Sequence, residues 1–468
     1  MPLLDSSDPR PVHFVGIAGA GMSALAELFV RRGARVTGCD AQADQTGDLQ
    51  RLGIQVGPHD PAHAAGARAL VVTAAVPPRH PELERARELG VPVIRRADAL
   101  GEVTAGRELV AIAGTHGKST TTVMTAEVLA AAHRDPTALV GGRVAAWRGN
   151  LRAGGDRLYV VEADEYARSF LALAPTVAVV TNIEADHLDV YADLADIRGA
   201  FAQFVAGART IVLCADDPGA RTLPTPTGTD VMPYAIADGP GASPPEALRE
   251  ARLLARRWRE TSGASAFEVE YDGRAFGAVR LGVPGRHNVL NALAALGAGL
   301  ALGADPEALA VGLAGFRGVE RRFQHVGDVR GVAIVDDYAH HPTEIAATLA
   351  AARGAFPGHR LLVAFQPHLF SRTRDFAREF AAALAAADVV YLAEIYPARE
   401  QPIAGVTASL IADALRANGA PPVWEGPRAA LAEVLARDVR RGDVVLTLGA
   451  GDITLTGPEL LGRLTGAA

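Results

Sequence analysis

Residues 109–132 read LVAIAGTHGKSTTTVMTAEVLAAA, and they decide the fold. A short apolar run, Leu109 to Ala113, gives way to a glycine-bounded loop, Gly114 to Gly117, and then to a helical stretch from Ser119 to about Ala132. Strand, loop and helix in that order aim backbone N–H groups and a helix N-terminus at one point, which suits phosphate. Gly114, Thr115, His116, Gly117, Lys118, Ser119 and Thr120 are therefore candidates for holding a nucleotide's phosphates. Lys118 would neutralise β- and γ-phosphate charge, and the Ser119 hydroxyl would ligate magnesium. Ile112 stands where the full phosphate-loop pattern has its first glycine, so the match is partial. The lysine strengthens it: of 46 Lys and Arg residues, Lys118 is the only lysine. A position that keeps lysine against such a bias needs a compact ammonium rather than a planar guanidinium.

Upstream, the run His13 to Ile17, glycine turns, and an apolar-periodic stretch from Met22 to Arg31 repeat the strand-loop-helix pattern. Arg35 to Cys39 and Ala69 to Thr73 are further strands, and Pro81 to Leu89 is a helix. Residues 1–105 thus read as a Rossmann-like parallel-sheet domain. Its first turn carries Gly16, Gly19 and Gly21, followed by Met22 and Ser23, with Asp40 at the spacing of a ribose-binding acid. That loop suits the pyrophosphate of NAD or of UDP equally.

Downstream, strands at Leu158 to Val161 and Val177 to Thr181 end in acidic clusters, Glu162, Asp164 and Glu165 on one and Asn182, Glu184, Asp186 and His187 on the other. Such carboxylates are hard oxygen ligands for magnesium. The Pro- and Gly-rich interval from Pro218 to Pro245 reads as irregular loops and short strands. A helix from Val289 to Leu302 closes this central domain near residue 316, which gives 106–316 as an ATPase-type α/β domain. Arg317, Arg321 and Arg322 around Phe323 fit anion clamping. In 317–468, a second Rossmann-like domain, the runs Val332 to Val335, Leu361 to Phe365, Val389 to Leu392 and Val444 to Leu448 read as strands. Polar clusters follow them where open α/β sheets bind ligands, among them Asp337, Tyr338, His340, His341, His368 and Arg372. Adjacent histidines at a strand end point different ways, and no ligand set recurs at zinc-like spacing, which argues against a transition metal.

Composition narrows the function. A chain of 468 residues with 49% hydrophobic and 21% charged residues has the make-up of an ordinary multidomain globular protein. Its net charge of −7 argues against nucleic acid as a partner. Two cysteines, Cys39 and Cys214, make no disulfide framework, and the start of the chain lacks a basic region leading into an apolar core. The longest uncharged stretch, Val289 to Ala304, is shorter than the roughly 20 residues that span a bilayer. The expectation is a cytoplasmic enzyme without membrane insertion.

HFVGIAGAGMSALAE, GTHGKSTTT, VVEADEYARSFL, TNIEADHLDVY, PGRHNVLNALAA, GVERRF, DDYAHHPTE, FQPHLFSRT and LGAGDI, in this order over nearly the whole chain, resemble the Mur ligase family, most closely its alanine-adding type. The resemblance implies a ligase that uses ATP and Mg2+ to join L-alanine to the lactyl carboxylate of UDP-N-acetylmuramate through an acyl phosphate, acting as a monomer or weak homodimer. It assigns the loop of Gly16, Gly19, Gly21, Met22 and Ser23, with Asp40, to UDP. Lys118 falls to the terminal phosphates, Ser119, Glu165 and His187 to magnesium, and His287, Asn288 and Asn291 to adenine. Arg322 and Asp337 fall to ATP. Tyr338, His340, His368 and Arg372 fall to substrate, with Lys118, His187, Arg322 and Arg372 as the catalytic set. Leu369 and Phe370 depart from the Arg and Tyr of many relatives. A sister type attaches a whole tripeptide to the same UDP-sugar, but Ala167 to Pro175 and TNIEADHLD look more like the alanine-adding one. A NAD-dependent dehydrogenase and a non-catalytic nucleotide-binding regulator are the alternatives from other classes.

Overall fold

Short aliphatic runs bounded by glycine and polar turns become buried parallel strands, and the stretches between them become helices that cover the sheets. The computed structural model describes residues 3–5, 7–261, 263–398 and 400–466. Strands β1 (Val12–Val15), β2 (Val36–Cys39), β3 (Gln55–Gly57), β4 (Ala69–Val72) and β5 (Val93–Arg95) form a parallel sheet in the order β3-β2-β1-β4-β5. The helix Ala20–Arg31 follows β1 directly, with Met22, Leu25, Leu28 and Phe29 buried.

The central sheet has ten strands: β6 (Glu108–Ala113), β7 (Thr137–Val144), β8 (Gly149–Arg152), β9 (Leu158–Glu162), β10 (Val177–Val180), β11 (Thr210–Cys214), β12 (Asp230–Ile236), β13 (Leu253–Thr261), β14 (Ala264–Tyr271) and β15 (Arg274–Leu281). Their order is β15-β14-β13-β12-β11-β10-β6-β9-β7-β8. β6 lies between β9 and β10, all three parallel. The carboxyl ends of three adjacent strands therefore bring the glycine loop and both acidic clusters together, as open α/β sheets do at ligand sites. One core joins this sheet to the first, running from Val12, Phe14 and Leu25 through Leu139 and Tyr159 to Ile211.

The third sheet comprises β16 (Gln324–Val329), β17 (Val332–Asp337), β18 (Arg360–Phe365), β19 (Val389–Ala393), β20 (Trp424–Gly426) and β21 (Asp443–Leu448), in the order β16-β17-β21-β18-β19-β20. Only β16 is antiparallel to its neighbour. Its two faces carry separate cores, one with Ile345, Phe365 and Phe380, the other with Ile334, Leu362 and Tyr391. Two compact units result: residues 1–258, 267–279 and 289–316 in the first, and 259–266, 280–288 and 317–468 in the second.

The α/β class and the strands expected around residues 13, 37, 71, 111, 160 and 179, and all four expected in the third domain, are present. The interval from Pro218 to Pro245, expected to hold irregular loops and short strands, contains β12, a seven-residue strand paired in parallel with β11, and also the short helix Pro218–Arg221, which was not expected. The helix expected from Val289 to Leu302 is Arg286–Ala301, and a further helix, Pro306–Gly315, follows it. Strands β3, β5, β7, β8, β11, β13, β14, β15, β16 and β20 were not anticipated. No helix among the described residues is long and apolar enough to cross a membrane.

Candidate active site

The loop after β6 is shaped by two glycines. Gly114 has φ +142°, and a Cβ there would run into Thr181 Oγ1; Gly117 has φ +82°, with Asn291 Oδ1 2.6 Å from where its Cβ would stand. Side chains are excluded at both positions by backbone conformation and by space. The TNIEADH segment buttresses the loop: His116 N donates to Asn182 Oδ1 (2.7 Å), Asn182 Nδ2 to His116 O (3.0 Å), Thr181 Oγ1 to His116 O (2.6 Å) and Glu184 N to Thr115 Oγ1 (2.9 Å). The helix Lys118–Ala131 starts at once, so its N-terminus faces the loop.

Lys118 Nζ donates to Gly114 O (2.6 Å), Thr115 O (3.2 Å) and both oxygens of Glu165 (2.9 and 2.8 Å). Burial alone would lower the lysine's pKa, but Glu165, backed by Asp164 and Glu162, outweighs it and raises it. Burial would likewise raise the Glu165 carboxyl, whereas Lys118 and His187 hold it below the usual range. His187 Nε2 lies 3.6 Å from Glu165 Oε1; its burial is outweighed by Glu165 and Asp186, and its pKa rises. Ser119 Oγ donates to Glu162 Oε1 (3.0 Å), and Glu162 Oε2 accepts from Gly141 N (2.6 Å). Ser119 is thus joined to Glu162, while Glu165 is joined to Lys118 and His187. Glu162, Asp164 and Glu165 together exceed the charge of one ammonium, a surplus that fits a divalent cation with hard oxygen ligands.

The glycine loop of the first domain sits near these carboxylates. A cavity of about 260 Å³ is lined by Gly19, Gly21 and Met22 from that loop, by Arg96, and by Glu162 and Asp164. Gly16 N donates to Cys39 O (2.9 Å), while Asp40 Oδ2 accepts from Ala18 N (2.9 Å) and braces the loop from within the domain. Ser23 Oγ bonds Ala20 O in the first helical turn. Arg96, 3.9 Å from Asp164, is the cation of this cavity, and sequence reasoning missed it. Its only signal was an Arg pair at the end of β5.

In the second compact unit, Asp337 ends β17 and accepts from Phe323 N and Ala339 N (both 2.8 Å). Burial pushes its carboxyl up to about 6, with Arg322 offsetting part of the rise. Burial, then Arg322, lowers His287 to about 4. Arg322 lies 3.5 Å from Glu344, and its guanidinium stands 5.1 Å from the Tyr338 ring centre. Arg321, its neighbour, is engaged structurally by Asp336 and Gly449 O. His340 bonds Tyr338 O (3.0 Å), and its ring lies 5.9 Å from that of His368. His368 stacks on Tyr396, a residue the sequence did not flag. Arg372 is buried in the first turn of the helix Phe370–Leu384, after Leu369 at φ +71°. His287 and Asn288 begin the helix Arg286–Ala301, and Asn291 follows one turn on, against Gly117.

Comparison with known proteins adds the chemistry. Residues 11–108 match the Mur ligase family catalytic domain, 112–299 the Mur ligase middle domain, and 321–451 the Mur ligase glutamate ligase domain. The UDP-N-acetylmuramate–L-alanine ligase of Cutibacterium acnes is 46% identical over 480 residues, covering 100% of this chain and 98% of that relative. The Rubrobacter xylanophilus ligase of the same name is 45% identical, covering 97% and 100%. Among solved structures, the UDP-N-acetylmuramate–alanine ligase of Thermotoga maritima has TM-score 0.81 at 30% identity, covering 98% of this chain and 100% of its own. A murein peptide ligase from Psychrobacter arcticus shares the fold at TM-score 0.72 and 24% identity, covering 97% and 98%.

Proposed function

This chain belongs to the Mur ligase family, and from that premise we propose that it joins L-alanine to the lactyl carboxylate of UDP-N-acetylmuramate, driven by ATP. The observation that carries the reading is the cavity in which the glycine loop of the first domain meets Glu162 and Asp164, beside the Lys118 loop. A nucleotide-sugar held by the former then presents its reacting end to a phosphate held by the latter. Full-length relatives that bear this name supply the identity of the two substrates.

The lactyl carboxylate attacks the γ-phosphorus of ATP, ADP leaves, and an acyl phosphate forms. The amine of alanine then attacks the acyl carbon and expels phosphate. Little covalent help is needed; what the chain supplies is position and fixed positive charge. Lys118 and the N–H groups from Gly114 to Thr120 would take up spread phosphate charge, and Arg322 and Asp337 are assigned to ATP by the resemblance. His287, Asn288 and Asn291 serve the adenine. Gly16, Gly19, Gly21, Met22, Ser23 and Asp40 hold the UDP end. Tyr338, His340, His368 and Arg372 receive the amino acid, Arg372 pairing with its carboxylate. Ser119, Glu165 and His187, joined here by Glu162, are the donors for magnesium, which would screen phosphate charge when bound. Residues 1–105, 106–316 and 317–468 are the matching UDP, ATP and amino-acid domains. Substrates of this kind, ATP and a nucleotide-sugar, assign the reaction to the cytoplasm.

Phosphate release with ATP and UDP-N-acetylmuramate tests the reading, comparing L-alanine, glycine, L-serine and the tripeptide. L-Alanine should give the highest kcat/KM. Preference for the tripeptide would replace this reading with the sister activity, and release that ignores every amino acid would refute it.

A further inference from the structure

Far from the phosphate loop in sequence, the first domain gathers a second set of reactive side chains around one fully buried carboxylate. Glu82 has no exposed surface. Its Oε2 lies 3.1 Å from His13 Nε2 and 3.3 Å from Cys39 Sγ, and its Oε1 lies 3.3 Å from His63 Nδ1. The four donor atoms all fall within 4.8 Å of one another. We propose that His13, Cys39, His63 and Glu82 form a zinc-binding site in the first domain, separate from the magnesium chemistry of the reaction.

The donor set selects the ion. One sulfur, two imidazole nitrogens and one carboxylate oxygen suit a borderline-soft ion such as zinc and not magnesium. Zinc bonds of about 2.0–2.3 Å in a tetrahedron put neighbouring donors roughly 3.3–3.8 Å apart; His13 Nε2 and Cys39 Sγ stand 3.1 and 3.3 Å from Glu82 Oε2, and His63, 3.3 Å from the other oxygen, keeps the whole set within 4.8 Å. Charge agrees too: a thiolate and a carboxylate with two neutral imidazoles balance a divalent ion, so the buried site is neutral overall. The supporting partners are in place. Thr37 Oγ1 is 2.9 Å from His13 Nδ1, Asp60 N donates to Glu82 Oε1 (2.8 Å), and His59 Nδ1 is 3.1 Å from Cys39 Sγ. Such contacts fix the orientation of metal ligands. An entry path exists as well, since a cavity of about 610 Å³ beside Gln50 and Gln55 is lined by both His13 and His63.

The site would cross-link four elements of a small domain: β1 through His13, the end of β2 through Cys39, the short 3-10 helix Pro61–Ala64 through His63, and the helix Pro81–Leu89 through Glu82. No motif in the sequence announces it, because each ligand comes from a different element. At the paired histidines His340 and His341 of the third domain, sequence argued against a transition metal; the set in the first domain is spread over four elements, where sequence spacing does not reveal it.

Full-length protein, stripped with a chelator and titrated with zinc chloride against a competing chelator, should take up one zinc per chain. Cobalt(II) in its place should give a thiolate-to-metal charge-transfer band. The chain has only two cysteines, so Cys214→Ser should keep that band and Cys39→Ser should lose it. Thr37→Val should weaken zinc binding about 10- to 100-fold, and His63→Ala by at least as much. His63 is half-exposed, so its variant tests the site even where Cys39→Ser does not fold; circular dichroism checks each variant. No stoichiometric zinc uptake, a cobalt complex without the thiolate band, or zinc affinity unchanged in His63→Ala would overturn the site and leave the cluster a proton-sharing network.

Discussion

A lysine whose ammonium meets four oxygens cannot be exchanged for an arginine of equal charge. Lys118 Nζ fits between two loop carbonyls and both oxygens of a buried carboxylate, a point contact that a flat, five-donor group cannot reproduce. Lys118→Arg should therefore lower kcat by about 100-fold or more, comparable to losing a fixed transition-state donor. Phosphate release at saturating substrates measures it, and near-normal turnover would contradict the role. The same lysine bears on carbon dioxide. Some Mur-type ligases hold a second magnesium with a carbamylated lysine, which needs a neutral amine. Here the only lysine has its pKa raised by Glu165 against the pull of burial, and Arg198, the basic residue after His187, bonds Thr222. Activity should not change when carbon dioxide is depleted and restored; collapse with recovery, or a carbamate mass on Lys118, would show otherwise. Arg372→Ala should raise the KM for L-alanine roughly 10- to 100-fold, the worth of a charged hydrogen bond, with the KM for ATP little changed. Equal effects on both substrates would remove Arg372 from the amino-acid pocket. Lys118 and the acidic clusters were legible because they sit at strand ends in a recognisable local pattern. Arg96 and Tyr396 were not, because their partners, Asp164 and His368, are brought to them by folding.

At the scale of elements, the parallel strands that were read have both faces buried and continuous aliphatic sequences, such as VAVV in β10 and RLLVAF in β18, whereas TIVLC in β11 is an equally buried run that was passed over. The strands β13 to β15 escaped notice for want of such runs. LLARRWRET, ASAFEVEY and RAFGAVRL mix arginine and glutamate with their apolar residues, and the pairs Arg256–Glu270 and Arg257–Glu268 form only once these strands lie side by side. The glycine loop is legible as a loop, but its tolerance is set by the helix Arg286–Ala301, which presents Asn291 to Gly117. Gly117→Ala would meet both a positive φ and that amide. A strain of about 1–3 kcal/mol converts to roughly 5- to 150-fold weaker ATP binding. UDP-N-acetylmuramate affinity, governed by a loop on another sheet, should stay within about twofold by the independence of distant sites. Calorimetric titration of each ligand separates the two, and unchanged ATP affinity would mean that Asn291 moves aside at no cost.

Across the whole molecule, acid stability in the second compact unit depends on two groups that pull in opposite directions. Asp337 has a folded pKa of about 6 against an ordinary 3.8, because burial disfavours its charge. The native state therefore holds this proton more tightly than the unfolded chain does. Its contribution is fully present below pH 3.8 and is lost as pH rises through 6. His287 is shifted the other way, to about 4 from 6.5, by burial and by Arg322. Its neutral form is favoured in the native state, so its contribution is present above pH 6.5 and is lost as pH falls toward 4. Over the shared window the two slopes oppose each other. Removing one exposes the other. The Asp337→Asn variant should lose stability relative to its parent on acidification from pH 6.5 to 4, by up to about 3 kcal/mol, whereas His287→Asn should gain relative to its parent over the same range. Urea unfolding can follow this unit alone in a Trp147→Phe, Trp258→Phe background, where Trp424 on β20 is the remaining tryptophan. Each variant is read as its difference from that parent at each pH, which cancels the titration of groups they share. Two flat difference curves, or two of the same sign, would mean that burial does not set the charge of Asp337 and His287 in this unit.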